Sequence, residues 1–277
     1  MATLGKTRAL GQHFLKDKKI AQKIAETAVQ EMQKHQCESL LEIGPGKGAI
    51  TYPLLEIMSN SMGRQKLLLV ERDPQLADFW NRQSSLSGFR LENQDFLDLE
   101  DSKWLGSSSL AVVSNLPYSS ATAILKRLAL NSKKVSVMVL MFQAEVARRL
   151  RAEPGEKARG SLSVWIQNQW DVKKLIFVPP QAFIPPPQVD SEVVILTRRE
   201  ELRVQHSHDL EGLSWGSLLK VCFSQRRKML RKVVKTSDLW RNALERSGVN
   251  ATKRAEALEW EEWNRLFQAA RQLSNLP

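Results

Sequence analysis

Apolar residues fall along the chain in short runs, separated by stretches where they return every three or four positions. The runs are Ser39–Ile43, Leu67–Val70, Phe89–Asn93, Leu110–Val113, Val135–Phe142 and Val193–Leu196, each of a length that suits a buried strand. Helical spacing marks Ala49–Met58, Gln75–Gln83 and Ala121–Leu130. Another helix is predicted after Asp17, whose carboxylate can cap it, with Ile20, Ile24 and Ala28 on one face. Strands alternating with helices predict an α/β fold, a Rossmann-like parallel sheet with helices on both faces. A proline-rich passage, Val178 to Pro187, precedes the last run. Beyond Arg199 the pattern changes: Leu213–Phe223, Leu239–Ser247 and Trp260–Leu273 read as helices and no strand-like run follows. The expected organisation is therefore one α/β domain over 1–200 and a small all-α domain over 201–277.

Several classes of protein are disfavoured at once. The longest apolar run, Val135–Phe142, is far below the ~18 residues of a membrane span. The first residues, Met1 to Lys6, carry no apolar core with a cleavage site, so no secretion signal is expected. Cys37 and Cys222 are too distant to frame a disulfide scaffold or a metal knuckle, and they suit a reducing cytoplasm. Four scattered histidines give no metal-ligand spacing, so no metal is expected.

Charge adds a partner. The chain carries a formal net charge of +11, which calls for a polyanion. One basic cluster is Lys6, Arg8, Lys16, Lys18, Lys19 and Lys23; another is Arg226, Arg227, Lys228, Arg231 and Lys232. A single such run is most often a solvated face. Two clusters at opposite ends favour nucleic acid, and neither lies on the apolar-faced helix that a membrane surface requires.

The candidate chemistry sits at strand ends. The first run closes in Glu42-Ile43-Gly44-Pro45-Gly46-Lys47-Gly48, where glycines let the backbone turn tightly against a ligand. Glu71 ends the next strand, where a carboxylate can accept from two ribose hydroxyls. A plain β–α loop explains the turn equally well, and Gly44, Gly46 and Ala49 also satisfy the G-x-G-x-x-A of a dinucleotide-binding dehydrogenase. Two features oppose the dehydrogenase. Asp95 follows the third strand, where it could receive the amine of an adenosyl group. Asn115-Leu116-Pro117-Tyr118 ends the fourth.

That tetrapeptide can orient an exocyclic amine. The adenine amine is a poor nucleophile, because its lone pair is delocalised into the ring. Accepting both of its hydrogens turns the lone pair out of the ring plane. An Asn oxygen and the next backbone carbonyl can do this, with a proline holding the backbone. Tyr118 offers a face on which a flipped base can stack. Alone, the four residues read as well as a turn with a buried tyrosine. With Gly44, Glu71 and Asp95 they describe an S-adenosylmethionine pocket beside an acceptor amine.

With these residues the chain closely resembles the ribosomal RNA adenine N6-dimethyltransferases, in their small-subunit (16S-type) branch. The resemblance spans nearly the whole length. It includes Gly11-Gln12-His13-Phe14-Leu15, the glycine turn, Asn115–Tyr118, Gln143-Ala144-Glu145-Val146, Phe183 to Ser191 and Phe223-Ser224-Gln225-Arg226-Arg227-Lys228. The resemblance implies a class I methyltransferase sheet with a helical, rRNA-binding C-terminal domain. It implies a cytoplasmic monomer that dimethylates two adjacent adenosines near the 3′ end of small-subunit rRNA during ribosome biogenesis. By the same resemblance His13, Leu15, Gly44, Glu71, Asp95 and Asn115 line the methyl-donor site, and Tyr118 and Phe183 sandwich the flipped adenine. A large-subunit enzyme conferring antibiotic resistance and a non-catalytic assembly factor are the alternatives.

Two positions depart from the family pattern. His13 stands where Asn is usual; it is read as a donor contact or, equally, as a surface histidine. The stretch Ala158 to Ser163 lacks the aromatic common before its glycine, and Arg159 there is read as solvated, with phosphate contact as the alternative. Phe183 also has a plainer reading, as a core phenylalanine anchoring the proline-rich loop.

Overall fold

The computed structural model describes residues 13–61, 66–83, 88–106, 109–206 and 213–274. The chain divides into two compact units. The first comprises 1–147 and 171–198, and the second 148–170 and 199–277. Where a single boundary at 200 was expected, residues 148–170 cluster with 199–277.

In the first unit the order is β1 (Phe14–Leu15), α1 (Lys18–Lys34), β2 (Ser39–Ile43), α2 (Thr51–Ser61), β3 (Lys66–Val70), α3 (Pro74–Arg82) and β4 (Phe89–Glu92). There follow α4 (Asp101–Trp104), β5 (Leu110–Asn115), α5 (Ala121–Leu130), β6 (Val135–Gln143) and α6 (Ala144–Arg151), the last running into the second unit. After α7 (Ser161–Gln167) come β7 (Trp170–Val178), β8 (Phe183–Ile184) and β9 (Ser191–Arg198). Asp17 caps α1 as expected, accepting from the Lys19 and Ile20 amides, and Ile20, Ile24 and Ala28 are buried. Asp73 caps α3, with Pro74 in its first turn, where a missing N–H costs nothing.

The main sheet has seven strands in the order β4-β3-β2-β5-β6-β9-β7. Strands β4 to β6 pair in parallel, whereas β9 lies antiparallel to β6, with Val139 opposite Ile195. The expectation of a wholly parallel sheet is corrected at that edge. Strand β7, also unforeseen, is the terminal one and carries Asp171, Lys173 and Lys174. Charges of this kind suit an edge strand and hide it from any search for apolar runs. The central strands are buried throughout, β6 from Val135 to Phe142 without interruption. With helices on both faces, the carboxyl ends of β2, β3, β4 and β5 are left to build a site.

The second unit adds α8 (Trp215–Cys222), α9 (Leu230–Val233), α10 (Asp238–Ser247) and α11 (Trp260–Ser274). Its core is aromatic: the rings of Trp215 and Trp263 meet edge to face at 5.7 Å, and Phe223 stacks on Trp263 at 6.0 Å. Arg159 belongs to this core. It is 0% exposed, donates from Nη1 to the Glu256 and Leu258 carbonyls at 3.1 and 2.5 Å, and lies over the Trp260 ring. Both earlier readings of Arg159, solvated or phosphate-binding, are therefore wrong. It ties the 148–170 segment to the helices that follow within the same unit.

Candidate active site

The turn after β2 is shaped by glycines with positive φ. Gly44 has φ +70°, and a Cβ there would project into open space. Gly46 has φ +56°, and a Cβ there would press to 3.2 Å from the Phe14 ring. Trp80 holds this turn from below, donating Nε1–H to the Gly46 carbonyl at 2.9 Å. At the end of β3, Glu71 braces it from the side. Its Oε2 accepts the Gly46 amide at 3.1 Å and its Oε1 accepts the Asp73 amide at 2.9 Å. Burial raises the Glu71 pKa, and these amide bonds pull it back toward the ionised form. Each oxygen keeps a lone pair for a further donor.

Asp95 follows β4. Its Oδ1 accepts the Leu97 amide at 2.9 Å and its Oδ2 pairs with Arg72 Nη1 at 3.2 Å. Asn93 Nδ2 donates to the Glu71 carbonyl at 2.8 Å, so the β3 and β4 ends are joined beside this acid.

Asn115 ends β5. Its side-chain amide donates to the His13 carbonyl at 3.2 Å, which commits the nitrogen, and no described residue donates to its Oδ1. The Leu116 carbonyl likewise accepts no hydrogen bond from a described residue. Pro117 turns the chain, its carbonyl taking the Ser120 amide at 3.1 Å ahead of α5. The Tyr118 hydroxyl is held by Ser191 Oγ at 2.6 Å, which fixes the ring plane. Beside it, at 5.7 Å between centroids, stands the His13 ring, whose Nδ1–H donates to the Pro185 carbonyl at 2.8 Å.

His13, Leu15, Gly44, Glu71, Asp95, Asn115, Leu116 and Tyr118 thus line one cleft. Phe183 does not line it. That side chain is 1% exposed and packs in the core of the first unit, while its neighbour Ile184 points outward. β8 pairs with β1, setting Phe183 opposite Leu15, which is buried in the same core. The plainer reading of Phe183, a core phenylalanine, is what its packing shows, and its stacking on a flipped adenine stays an expectation. Gly11 and Gln12 lie outside the described residues. Sequence reasoning missed Glu42, Phe14 and Lys47, which also line the cleft. For Glu42 a signal existed, an acid inside an otherwise apolar run directly before the glycine turn.

The donor set suits an adenosyl group. Open space over Gly44, a braced carboxylate at Glu71 and an acid at Asp95 match a turn, a ribose and a base. Among the described residues no group of three or more His, Cys, Asp or Glu is placed to hold a metal ion, and no described helix is long and apolar enough to cross a membrane.

Known proteins resemble this chain over nearly its whole length. A family model described as ribosomal RNA adenine dimethylase matches residues 4–272. A protein of Maridesulfovibrio salexigens named ribosomal RNA small subunit methyltransferase A is 36% identical over 269 residues, covering 95% of each chain. One of the same name from Thermosynechococcus vestitus is 37% identical over 275 residues, covering 96% of this chain and 97% of its own. Among solved structures, the 23S rRNA methyltransferase ErmE superposes with a TM-score of 0.69 at 26% identity, covering 94% of this chain and all of that one. A dimethyladenosine transferase from Plasmodium falciparum reaches 0.73 at 20% identity, over 95% and 98% of the two chains, which shows the shared fold. The fold and family imply S-adenosylmethionine as methyl donor. On sequence and architecture together, this chain belongs to the ribosomal RNA adenine dimethylase family.

Proposed function

We propose that this enzyme transfers methyl groups from S-adenosylmethionine to N6 of two adjacent adenosines in the 3′-terminal hairpin of small-subunit rRNA. The product is N6,N6-dimethyladenosine, formed during ribosome biogenesis. The observation that carries the chemistry is the state of Asn115: its amide nitrogen is committed to His13, leaving Oδ1 to accept from an incoming amine. With the Leu116 carbonyl as second acceptor, both amine hydrogens are held and the lone pair is turned out of the base plane. Tyr118, fixed through Ser191, supports the flipped base from one face.

The donor supplies an electrophilic methyl group on a sulfonium, whose charge is lost as the methyl moves. Orientation in a water-poor cleft is then sufficient, and no side chain is required as nucleophile or general base. Gly44, Glu71 and Asp95 hold the donor; His13 and Leu15 close the cleft above it. The choice of small subunit rests on the names of the full-length relatives and on the Phe223–Lys228 motif. The helical unit binds the rRNA of a precursor particle, and the enzyme works as a cytoplasmic monomer.

The test is incubation with labelled donor and undermethylated small or large ribosomal subunits, followed by nucleoside mass spectrometry. Dimethyladenosine in the small subunit is expected. Its appearance in the large subunit alone would transfer the enzyme to the antibiotic-resistance branch, as the likeness to ErmE would then suggest.

A further inference from the structure

Glu42 is the one buried acid of the cleft that the mechanism above does not use. It lies near the carboxyl end of β2, paired on one side with Leu69 of β3 and on the other with Val113 of β5. It is 1% exposed and lines the cleft next to Gly44. Its Oε2 is buried without a hydrogen bond of good geometry, and the Thr51 hydroxyl of α2 beside it opposes part of the effect of burial by favouring the ionised form. No cation pairs with it among the described residues; the charge that bears on it is that of Glu71, another acid. The other charged lining groups are spoken for: Asp95 by Arg72, and Lys47 by its position 4.9 Å from the Phe14 ring centre. A desolvated carboxyl next to a second carboxylate favours its neutral form, and its pKa is pushed up to about 8.

We propose that Glu42 senses the charge of the methyl donor: it is a carboxylic acid in the free enzyme and becomes a carboxylate when the cationic methionine end of the donor enters the cleft. The donor brings a sulfonium and an ammonium into a cleft lined by the Glu42 carboxyl. A positive charge nearby stabilises the ionised form, so the O–H bond of Glu42 breaks and its proton passes to buffer. The demethylated product carries a thioether in place of the sulfonium. It therefore attracts the carboxylate less, so Glu42 distinguishes donor from product by charge.

This inference rests on the donor reading, and calorimetry separates the two. S-adenosylmethionine is titrated into the enzyme at pH 7 in two buffers of different ionisation enthalpy, and the dependence of heat on buffer counts protons. The donor's own amine also exchanges protons, so the quantity read is the difference between the parent and Glu42→Gln. The parent should release close to one proton more per donor bound, and the difference should be smaller with the demethylated product. Equal proton counts in the two proteins would overturn the inference while leaving the donor reading intact. Failure of the parent to bind the donor would overturn both. A second measurement does not depend on the variant folding. In infrared difference spectra of the parent at pH 7, donor addition should remove a protonated-carboxyl band, and an unchanged band would defeat the proposal.

Discussion

Asn115 Nδ2 donates to the His13 carbonyl at 3.2 Å, joining the end of β5 to the chain just before β1. The bond removes the ambiguity of a carboxamide, which could otherwise present either its oxygen or its nitrogen to the cleft. With the nitrogen engaged, the oxygen is the group left for the substrate amine. The same contact gives the residue at position 13 a role independent of its side chain, since the backbone carbonyl does the work.

Replacing Asn115 with Ala should therefore reduce methyl transfer about a hundredfold or more, the cost of misplacing a reacting group by ~1 Å. Donor affinity should fall only modestly. Single-turnover rates and donor titration check both parts, and near-parental turnover would show that the amine is oriented elsewhere.

Glu71→Ala should weaken donor binding at least tenfold, because a hydrogen bond to a charged group contributes roughly 1.5–3 kcal/mol. It also strips the Gly46 and Asp73 amides of their acceptor, so some loss of thermal stability should accompany it. Calorimetry with S-adenosylmethionine and with NAD provides the check. Tight NAD binding by the parent would revive the dehydrogenase reading.

The raised pKa of Glu42 predicts a direction for stability against pH. The ordinary value of 4.5 applies to the unfolded chain and about 8 to the folded one. Below both values the group is neutral in each state and costs nothing. As pH rises from 4.5 to 8 the unfolded chain ionises first, so the native state loses stability across that window. In the absence of donor, Glu42→Gln should flatten this decline and melt higher than the parent at pH 8. Parallel melting curves for the two proteins across that range would contradict the burial argument.

Phe183 and Tyr118 should behave differently on truncation. Phe183→Ala empties a core position and should cost about 3–5 kcal/mol of stability, while the folded protein retains its donor affinity. Tyr118→Ala should leave stability less affected and reduce turnover on RNA. Denaturant unfolding alongside rate measurements decides between them; a stable but inactive Phe183→Ala would return that ring to the acceptor site.

The basic tail needs a narrower test than its sequence suggested. Residues 223–228 form a turn, not a helix, and Arg226 donates to the Lys157 and Arg159 carbonyls at 2.8 and 3.1 Å. Arg226 is thus a structural tie within the second unit. Arg227, Lys228, Arg231 and Lys232 are exposed, and changing these four to Gln should weaken binding to small subunits. Each lost phosphate contact should lower the salt slope by ~0.7–0.9. Donor affinity should be unchanged. An unaltered salt slope in a folded variant would make the cluster an ordinary solvated face.

Local pattern carried much of the architecture. The run Ser39–Ile43 became a strand with those limits, Ala121–Leu130 became a helix with those limits, and Asp17 capped the helix it precedes. These elements are written in neighbouring residues: buried strands need continuous apolar runs, and a cap needs a short polar side chain at one position. The glycine turn and Asn115–Tyr118 were equally visible, because tight turns and fixed carbonyls demand particular residue types. Contacts between distant positions decided the rest. Charged β7 found its place at the sheet edge, and β9 turned antiparallel against β6. Arg159 passed from an expected surface site to full burial because carbonyls 97 and 99 residues away satisfy it. Phe183 lies in the core, paired across β8 and β1 with the distant Leu15. Whether a polar or aromatic side chain is buried depends on what the remainder of the fold brings against it, and for Glu42 the closing of three strands and a helix buried an acid without a cation beside it.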